Sequence, residues 1–333
     1  MYIALQLHIT GRCNLACRHC YMEKCNNELP YGTVKTVICQ YRELLKNTGK
    51  ICGKKVEGQI RITGGEPLLH RDFKKILRLL KRIHIPFVLM TNGTLANDVI
   101  LQELKRAGLS GCQVSLDGIK STHDDIRGDG NFDAVISALK RMSAKGIPSR
   151  VSFTANSENY TEFPQIASIC RECGVKSLWS DRYIPSSERD LRTLNKEQTH
   201  QYIEILERER LNPENAEAGL SIENGRALQF LASDRFPYTC KAGDNLIVVD
   251  ERGDILPCRR LPIVCGNVAN TTLSKVYFQH PTFLELQEHP IPSECKQCKH
   301  SSLCRGGARC LSYALSKKFD RCDPGCFLST PAE

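Results

Sequence analysis

The feature that most restricts the fold is an alternation. Over the first 210 residues, short β-rich runs at 3–9, 59–62, 87–90, 113–116, 150–154 and 177–179 alternate with amphipathic stretches. The stretch 72–83 spaces Phe73, Ile76, Leu77, Leu80 and Ile83 three or four residues apart, which is one face of a helix. Asn131 and Gly146 are start and stop signals around the Val135, Leu139 and Met142 stripe. Six strand–helix repeats call for parallel strands with helical crossovers, so the expected class is α/β, a partial (β/α)6 TIM-like barrel. Such folds place their chemistry at the carboxyl ends of the strands. There the sequence puts Cys13 to Cys20 after the first run, Gly64 to Pro67 after the second and Thr91 to Gly93 after the third.

The pattern changes after residue 212, where Asn212-Pro213-Glu214-Asn215 breaks the last helix. The expected organisation is a barrel domain over 1–212, a bridging stretch over 213–239 and a second domain over 240–333. The tail holds nine of the 18 cysteines. Within it, 246–249, the turn Asp250-Glu251-Arg252-Gly253-Asp254 and Ile255-Leu256 form a hairpin that ends at Cys258. So short a segment has little core of its own and points to metal as its organiser.

No run of about 18 apolar residues exists, and Met1 leads almost directly into the first cysteine loop with no signal peptide. The expectation is a cytoplasmic protein with no membrane partner. In a reducing compartment, cysteines bind metal more often than they pair.

Cys13-x3-Cys17-x2-Cys20 offers three thiolates from one eight-residue loop. A four-iron cluster takes four, so one iron would stay open to another ligand. The alternative is a zinc knuckle completed by His19 or Cys25. The spacing resembles the signature of the radical S-adenosylmethionine (SAM) superfamily. That resemblance implies a [4Fe–4S] cluster whose open iron is chelated by SAM, reductive cleavage to a 5′-deoxyadenosyl radical, and hydrogen abstraction from a substrate. It also implies that Gly64-Gly65-Glu66-Pro67, 44 residues beyond Cys20, holds the methionine amino group of SAM. By the same resemblance Ser115 and Asp117 reach the ribose hydroxyls, a plain strand-end cap being the other reading of Asp117. Asn92 and Arg182 stand at the same face. Arg182 is a candidate for SAM's carboxylate or for an ordinary salt bridge. His19 stands where that family usually has an aromatic.

The tail reads Cys240-x12-Gly253-x4-Cys258, then Cys295-x2-Cys298-x5-Cys304, and finally Asp323-Pro324-Gly325-Cys326. This resembles a SPASM domain, which implies one or two auxiliary iron–sulfur clusters. One set, Cys295, Cys298, Cys304 and Cys326, is complete. The other, built on Cys240 and Cys258, lacks a cysteine where Ala308 stands. Cys265, Cys310 or Cys322 replaces it, with Cys310 the first candidate, or the cluster is incomplete. Cys39, Cys52, Cys112, Cys170 and Cys173 read as ordinary core or surface thiols. The formal charge of +9 raises the question of nucleic acid. Three clusters at about −1 to −2 each would remove roughly half of it. Lys74, Lys75, Arg78, Lys81 and Arg82 lie along one helix as a solvated face. A zinc-bearing nucleic-acid binder would also want more aromatics than 7% and a single tryptophan.

By resemblance, SPASM proteins mostly modify peptides or proteins through thioether or carbon–carbon cross-links, epimerisation or oxidation. A minority act on tetrapyrroles or sugars. A peptide maturase is therefore the expected function. Its partners would be a peptide or small-molecule substrate and an external electron donor of the flavodoxin or ferredoxin type; since the barrel begins almost at Met1, either a separate leader-peptide-binding protein recognises the peptide or the substrate is small.

Overall fold

The computed structural model describes residues 1–22, 25–186, 190–223, 225–232, 238 and 240–328. All six expected strands form: β1 Tyr2–His8, β2 Glu57–Thr63, β3 Phe87–Thr91, β4 Gly111–Ser115, β5 Ser149–Ala155 and β6 Ser177–Arg182. Later come β7 Ser221–Glu223, β8 Leu246–Val249, β9 Asp254–Leu256 and β10 Gly266–Asn267. The main helices are α1 Tyr31–Cys52, α2 Phe73–Ile83, α3 Asp98–Arg106, α4 Lys120–Arg127, α5 Asn131–Ala144, α6 Phe163–Glu172 and α7 Lys196–Leu211. Among the described residues no helix is long and apolar enough to cross a membrane.

The chain divides into two compact units. The first is Met1–Ala16, Met22–Gln113 and Lys241–Glu288; the second is Cys17–Tyr21, Val114–Cys240 and His289–Glu333. In the first, the strands run β10-β9-β8-β1-β2-β3; in the second, β5-β6-β7, with β4 divided between the two. Pairing is parallel except at β8–β9 and β9–β10. Neither run closes on itself. The fold is thus α/β with an open, mainly parallel sheet, as a partial barrel requires.

A parallel sheet covered on both faces reads as continuous apolar runs. These strands alternate instead. On β1, Ile3, Leu5 and Leu7 are buried while Tyr2 and Gln6 are half-exposed; on β6, Leu178 is buried while Ser177, Trp179 and Asp181 are half-exposed. One face therefore packs under helices, while the other is mixed, with Ala4 and His8 of β1 buried on it as well. The packed face carries the core. Helix α1 buries Val34, Val37, Ile38, Tyr41 and Leu44, and the Tyr41 hydroxyl donates to the Ile3 carbonyl at 2.6 Å. Helix α2 buries Phe73, Ile76, Leu77 and Leu80, the stripe its sequence announces. Truncating one such leucine to alanine costs about 2–5 kcal/mol.

The hairpin after residue 245 forms as β8 and β9, but it does not stand alone. β8 adds to β1 in parallel, Ala4 opposite Leu246 and Leu7 opposite Val249. Ala4, Leu246, Val248 and Leu256 then form one apolar cluster, with Tyr2 and Cys258 packed against it. The little core this segment lacks is supplied by the first strand of the chain.

Candidate metal and cofactor site

In the first unit, the register sets two strand ends side by side: His8 pairs with Thr63, so the loop entering Cys13 runs beside Gly64, Gly65 and Glu66. Gly65 N–H donates to the Thr10 carbonyl at 2.8 Å and Glu66 N–H to the Arg12 carbonyl at 2.7 Å. The two glycines are there for this contact. A Cβ on Gly64, where φ is +156°, would stand 2.3 Å from the Thr10 carbonyl oxygen, and one on Gly65 2.4 Å from that of Arg12. What the missing side chains admit is the backbone that carries Cys13.

Glu66 is fully buried at the carboxyl end of β2. It accepts from the Thr91 hydroxyl at 2.8 Å, the Asn92 N–H at 2.8 Å and the Leu68 N–H at 3.2 Å. A carboxylate has about four acceptor positions, so three donors leave one for a ligand. Burial pushes its carboxyl up to about 7, against these three hydrogen bonds. Pro67, also buried, opens the following turn. The Asn92 amide reaches back to the cysteine loop, donating to Asn14 at 2.9 Å and lying 3.9 Å from the Cys13 sulfur. Cys25, the zinc alternative, packs on Gly11 and lies 3.8 Å from Glu251.

Cys258 belongs to this unit, in the apolar cluster with Ala4. So does Cys265, whose sulfur contacts the Ile263 carbonyl and whose thiol burial pushes up to about 11.

In the second unit, the Arg127 guanidinium donates to the Cys17 sulfur at 3.8 Å and lies 3.5 Å from His19. Asp117 holds it there. The Asp117 side chain is 1% exposed; one oxygen accepts from Thr154 N–H at 2.7 Å, and the other carries the Arg127 ion pair with His19 at 3.4 Å. Burial alone would raise this carboxyl, but the Arg127 charge offsets it and keeps it below the usual range. Both oxygens of Asp117 thus have partners inside the protein, as those of a strand-end cap would. Ser115 closes β4, half-buried.

Arg182 is buried at the end of β6 and forms a two-armed ion pair with Asp323, one arm 2.9 Å long, the salt bridge that is one of the two readings of this residue. Asp323 also accepts from Ala308 N–H at 2.8 Å and Gly325 N–H at 2.9 Å, joining two cysteine-bearing turns. Arg127 has no role in the sequence motifs, and Asp323 enters them only as the start of the Asp323–Cys326 motif. A local signal existed for Arg127 alone, ten residues beyond Asp117 on the next helix.

Five cysteines, 295, 298, 304, 322 and 326, line one small cavity, with Phe230 and His300 beside them. Cys322, expected as a candidate for the other cluster, is in this group, and its sulfur donates to the Asp323 carbonyl at 3.8 Å. Cys310 lies elsewhere in the same unit, packed with Ile184 and Tyr238 against Ala227, Ala308 and Leu311. Burial holds the Tyr238 phenol well above its ordinary range, with Cys240 and Cys310 adding to the effect from nearby.

Among the described residues no three His, Cys, Asp or Glu side chains converge on a point as ligands of a single ion do. A cubane asks for something different, since thiolates on separate corners stand farther apart. The donor set fits one: Cys13 and Cys17 each face an N–H donor, Asn92 and Arg127, which is what an anionic sulfur draws.

Comparison with known proteins agrees. Residues 7–170 match the radical SAM superfamily model and residues 240–299 the SPASM model, an iron–sulfur cluster-binding domain. The chain is 26% identical to the PqqA peptide cyclase of Gluconobacter oxydans over 98% of this chain and 91% of the relative. It is 23% identical to the AdoMet-dependent heme synthase of Oleidesulfovibrio alaskensis over 96% and 85%. The solved structure of anSMEcpe with AdoMet and the Cp18Cys peptide shares the fold at a TM-score of 0.79 and 19% identity, covering 98% of this chain and 94% of that one. The chain belongs to the radical SAM superfamily and is an iron–sulfur, SAM-dependent enzyme with a SPASM domain.

Proposed function

We propose that this enzyme modifies a peptide or protein by hydrogen abstraction. The observation that carries the radical reading is the packing of Gly64 and Gly65 on the Thr10–Arg12 backbone, which sets Glu66 beside the entry to the cysteine loop. In this reading Cys13, Cys17 and Cys20 hold the [4Fe–4S] cluster, and Gly64, Gly65, Glu66, Pro67, Asn92 and Ser115 hold SAM. The cluster and SAM, when bound, supply a 5′-deoxyadenosyl radical once an electron arrives from a flavodoxin- or ferredoxin-type donor. The protein's part is placement: Asn92 and Arg127 steady the sulfurs, and Asp117 fixes Arg127.

Residues 1–212 act as the radical domain and 240–333 as the auxiliary-cluster domain, with 213–239 between them. Cys295, Cys298, Cys304 and Cys326 hold one auxiliary cluster; Cys240, Cys258 and Cys310 serve the other. The peptide reading is supported by the peptide-directed relative and by the peptide-bound structural neighbour. The heme synthase relative supports a tetrapyrrole as the second reading.

The test is 5′-deoxyadenosine formation by anaerobically reconstituted protein with dithionite. Replacing Cys13, Cys17 and Cys20 together by alanine should abolish it while C-terminal iron remains. Undiminished turnover in that variant would defeat the radical reading. Turnover stimulated by an iron coproporphyrin and not by candidate peptides would replace the peptide reading with the tetrapyrrole one.

A further inference from the structure

A four-iron cluster takes four thiolates. The cavity lined by Cys295, Cys298, Cys304, Cys322 and Cys326 presents five. The surplus is not a thiol that merely lies near. Cys322 donates to the Asp323 carbonyl at 3.8 Å, and it packs with Cys304 against the Ile203, Leu228 and Cys326 cluster.

Cys322 and Cys326 also arrive on one short, braced turn. Asp323 N–H donates to the Gly306 carbonyl and Cys326 N–H to the Asp323 carbonyl, both at 2.9 Å. The Asp323 side chain, 1% exposed, is clamped by Arg182 and caps Ala308 and Gly325. Gly307 is pinned against it, since a Cβ there would stand 2.6 Å from that of Asp323. The turn therefore delivers two sulfurs to one place, on a backbone that a buried ion pair holds.

We propose that Cys322 and Cys326 are interchangeable fourth ligands of a single cluster in this cavity, so that Cys322 serves this cluster and not the one built on Cys240 and Cys258. The proposal rests on the reading of the tail as an auxiliary-cluster domain. In such an exchange an iron–sulfur bond to Cys326 would be replaced by one to Cys322, with one proton passing from the incoming thiol to the outgoing thiolate and no electron gained or lost. Such a pair would let one iron change its ligand while the cluster stays in place.

The experiment is iron and sulfide analysis with Mössbauer spectra on reconstituted full-length protein. The variants are Cys322→Ala, Cys326→Ala, the double variant, and Cys298→Ala as a control. Each single variant at the turn should keep the wild-type iron content. The double variant and Cys298→Ala each empty one corner of the cluster, so each should lose about one iron or show one distinct iron site in the Mössbauer spectrum that neither single variant at the turn shows. Because alanine at both positions removes packing, Cys322→Ser/Cys326→Ser is run beside it and should show the same change. Loss of the cluster in Cys326→Ala alone would overturn the proposal, as would loss in Cys322→Ala of the same iron that Cys240→Ala removes. A double variant with wild-type iron and a wild-type Mössbauer spectrum would overturn it as well. Failure of the underlying reading looks different: the Cys13, Cys17 and Cys20 triple variant would then carry no iron at all.

Discussion

Replacing Arg182 by methionine removes the positive half of a buried pair while keeping much of its stem. Asp323 would then keep only the Ala308 and Gly325 N–H donors of its four. Two hydrogen bonds to a charged group are worth about 1.5–3 kcal/mol each, or roughly 3–6 kcal/mol together. Breaking a buried ion pair from one side costs about 3–5 kcal/mol by an independent route. The two estimates meet near 4 kcal/mol. Asp323→Asn should cost about as much, because it strands the guanidinium. The double variant, Arg182→Met with Asp323→Asn, strands no charge, and its amide oxygen still accepts from one backbone N–H. It should lose only about 1–3 kcal/mol and be more stable than either single variant. Trp179, the only tryptophan, lies on β6 with Arg226 over its ring at 4.4 Å, so its fluorescence reports on this unit. In an anaerobic urea titration with a slope of about 3 kcal/mol per M, the single variants should shift the midpoint down by roughly 1–2 M. A single variant within about 1 kcal/mol of wild type would refute the reasoning. So would a double variant whose loss equals the sum of the singles. A drop in SAM affinity at unchanged stability would return Arg182 to the ligand.

Glu66→Gln tests the buried carboxyl. Its folded value of about 7 exceeds the ordinary 4.5, so between those pH values the folded chain holds a proton that the unfolded chain has lost. Stability from this group therefore falls as pH rises through that window, by about 3 kcal/mol in all. From pH 5 to pH 8 the glutamine variant should gain that much relative to wild type, and a difference that stays flat with pH would contradict the assignment. Arg127→Lys keeps the charge but not the fork that spans Asp117 and Cys17. With Cys17 as a cluster ligand, the reduced cluster loses a hydrogen bond, and its potential should fall by on the order of 60 mV, the one-electron equivalent of about 1.4 kcal/mol. An EPR-monitored redox titration reads this directly, and an unchanged potential would count against the contact.

Strands β1 to β6 and the buried stripe of α2 were legible because their signals are local, a period of two or of three to four within a dozen residues. The addition of β8 to β1 was not, since nothing in residues 246–249 says which strand, some 240 residues earlier, will accept them. Asp117 and Arg182 show the same limit at the site. Each is a charged residue at a strand's carboxyl end, where ligand contacts are expected, and from sequence each has a ligand role and a structural one. The choice depends on a partner: Arg127 ten residues away for Asp117, and Asp323 at a separation of 141 for Arg182. The first lies near enough in sequence to have been found. The second could not have been.

The vacancy at residue 308 is explained by the same turn. Ala308 is 4% exposed, its N–H is taken by Asp323, and it leads into the helix Arg309–Ser316. Ala308 and Cys310 share one apolar cluster with Ala227 and Leu311, in contact with Tyr238. Moving a thiol from 308 to 310 therefore keeps it in the same surroundings and within the electrostatic reach of Tyr238, as Cys240 is. Cys322 packs with Cys304 and Cys326 in the five-cysteine cavity, and Cys265 is held by the Ile263 carbonyl in the other unit. Of the three cysteines that could stand in for the missing ligand, Cys310 is the one whose surroundings include the Tyr238 environment of Cys240, which supports its assignment to that cluster.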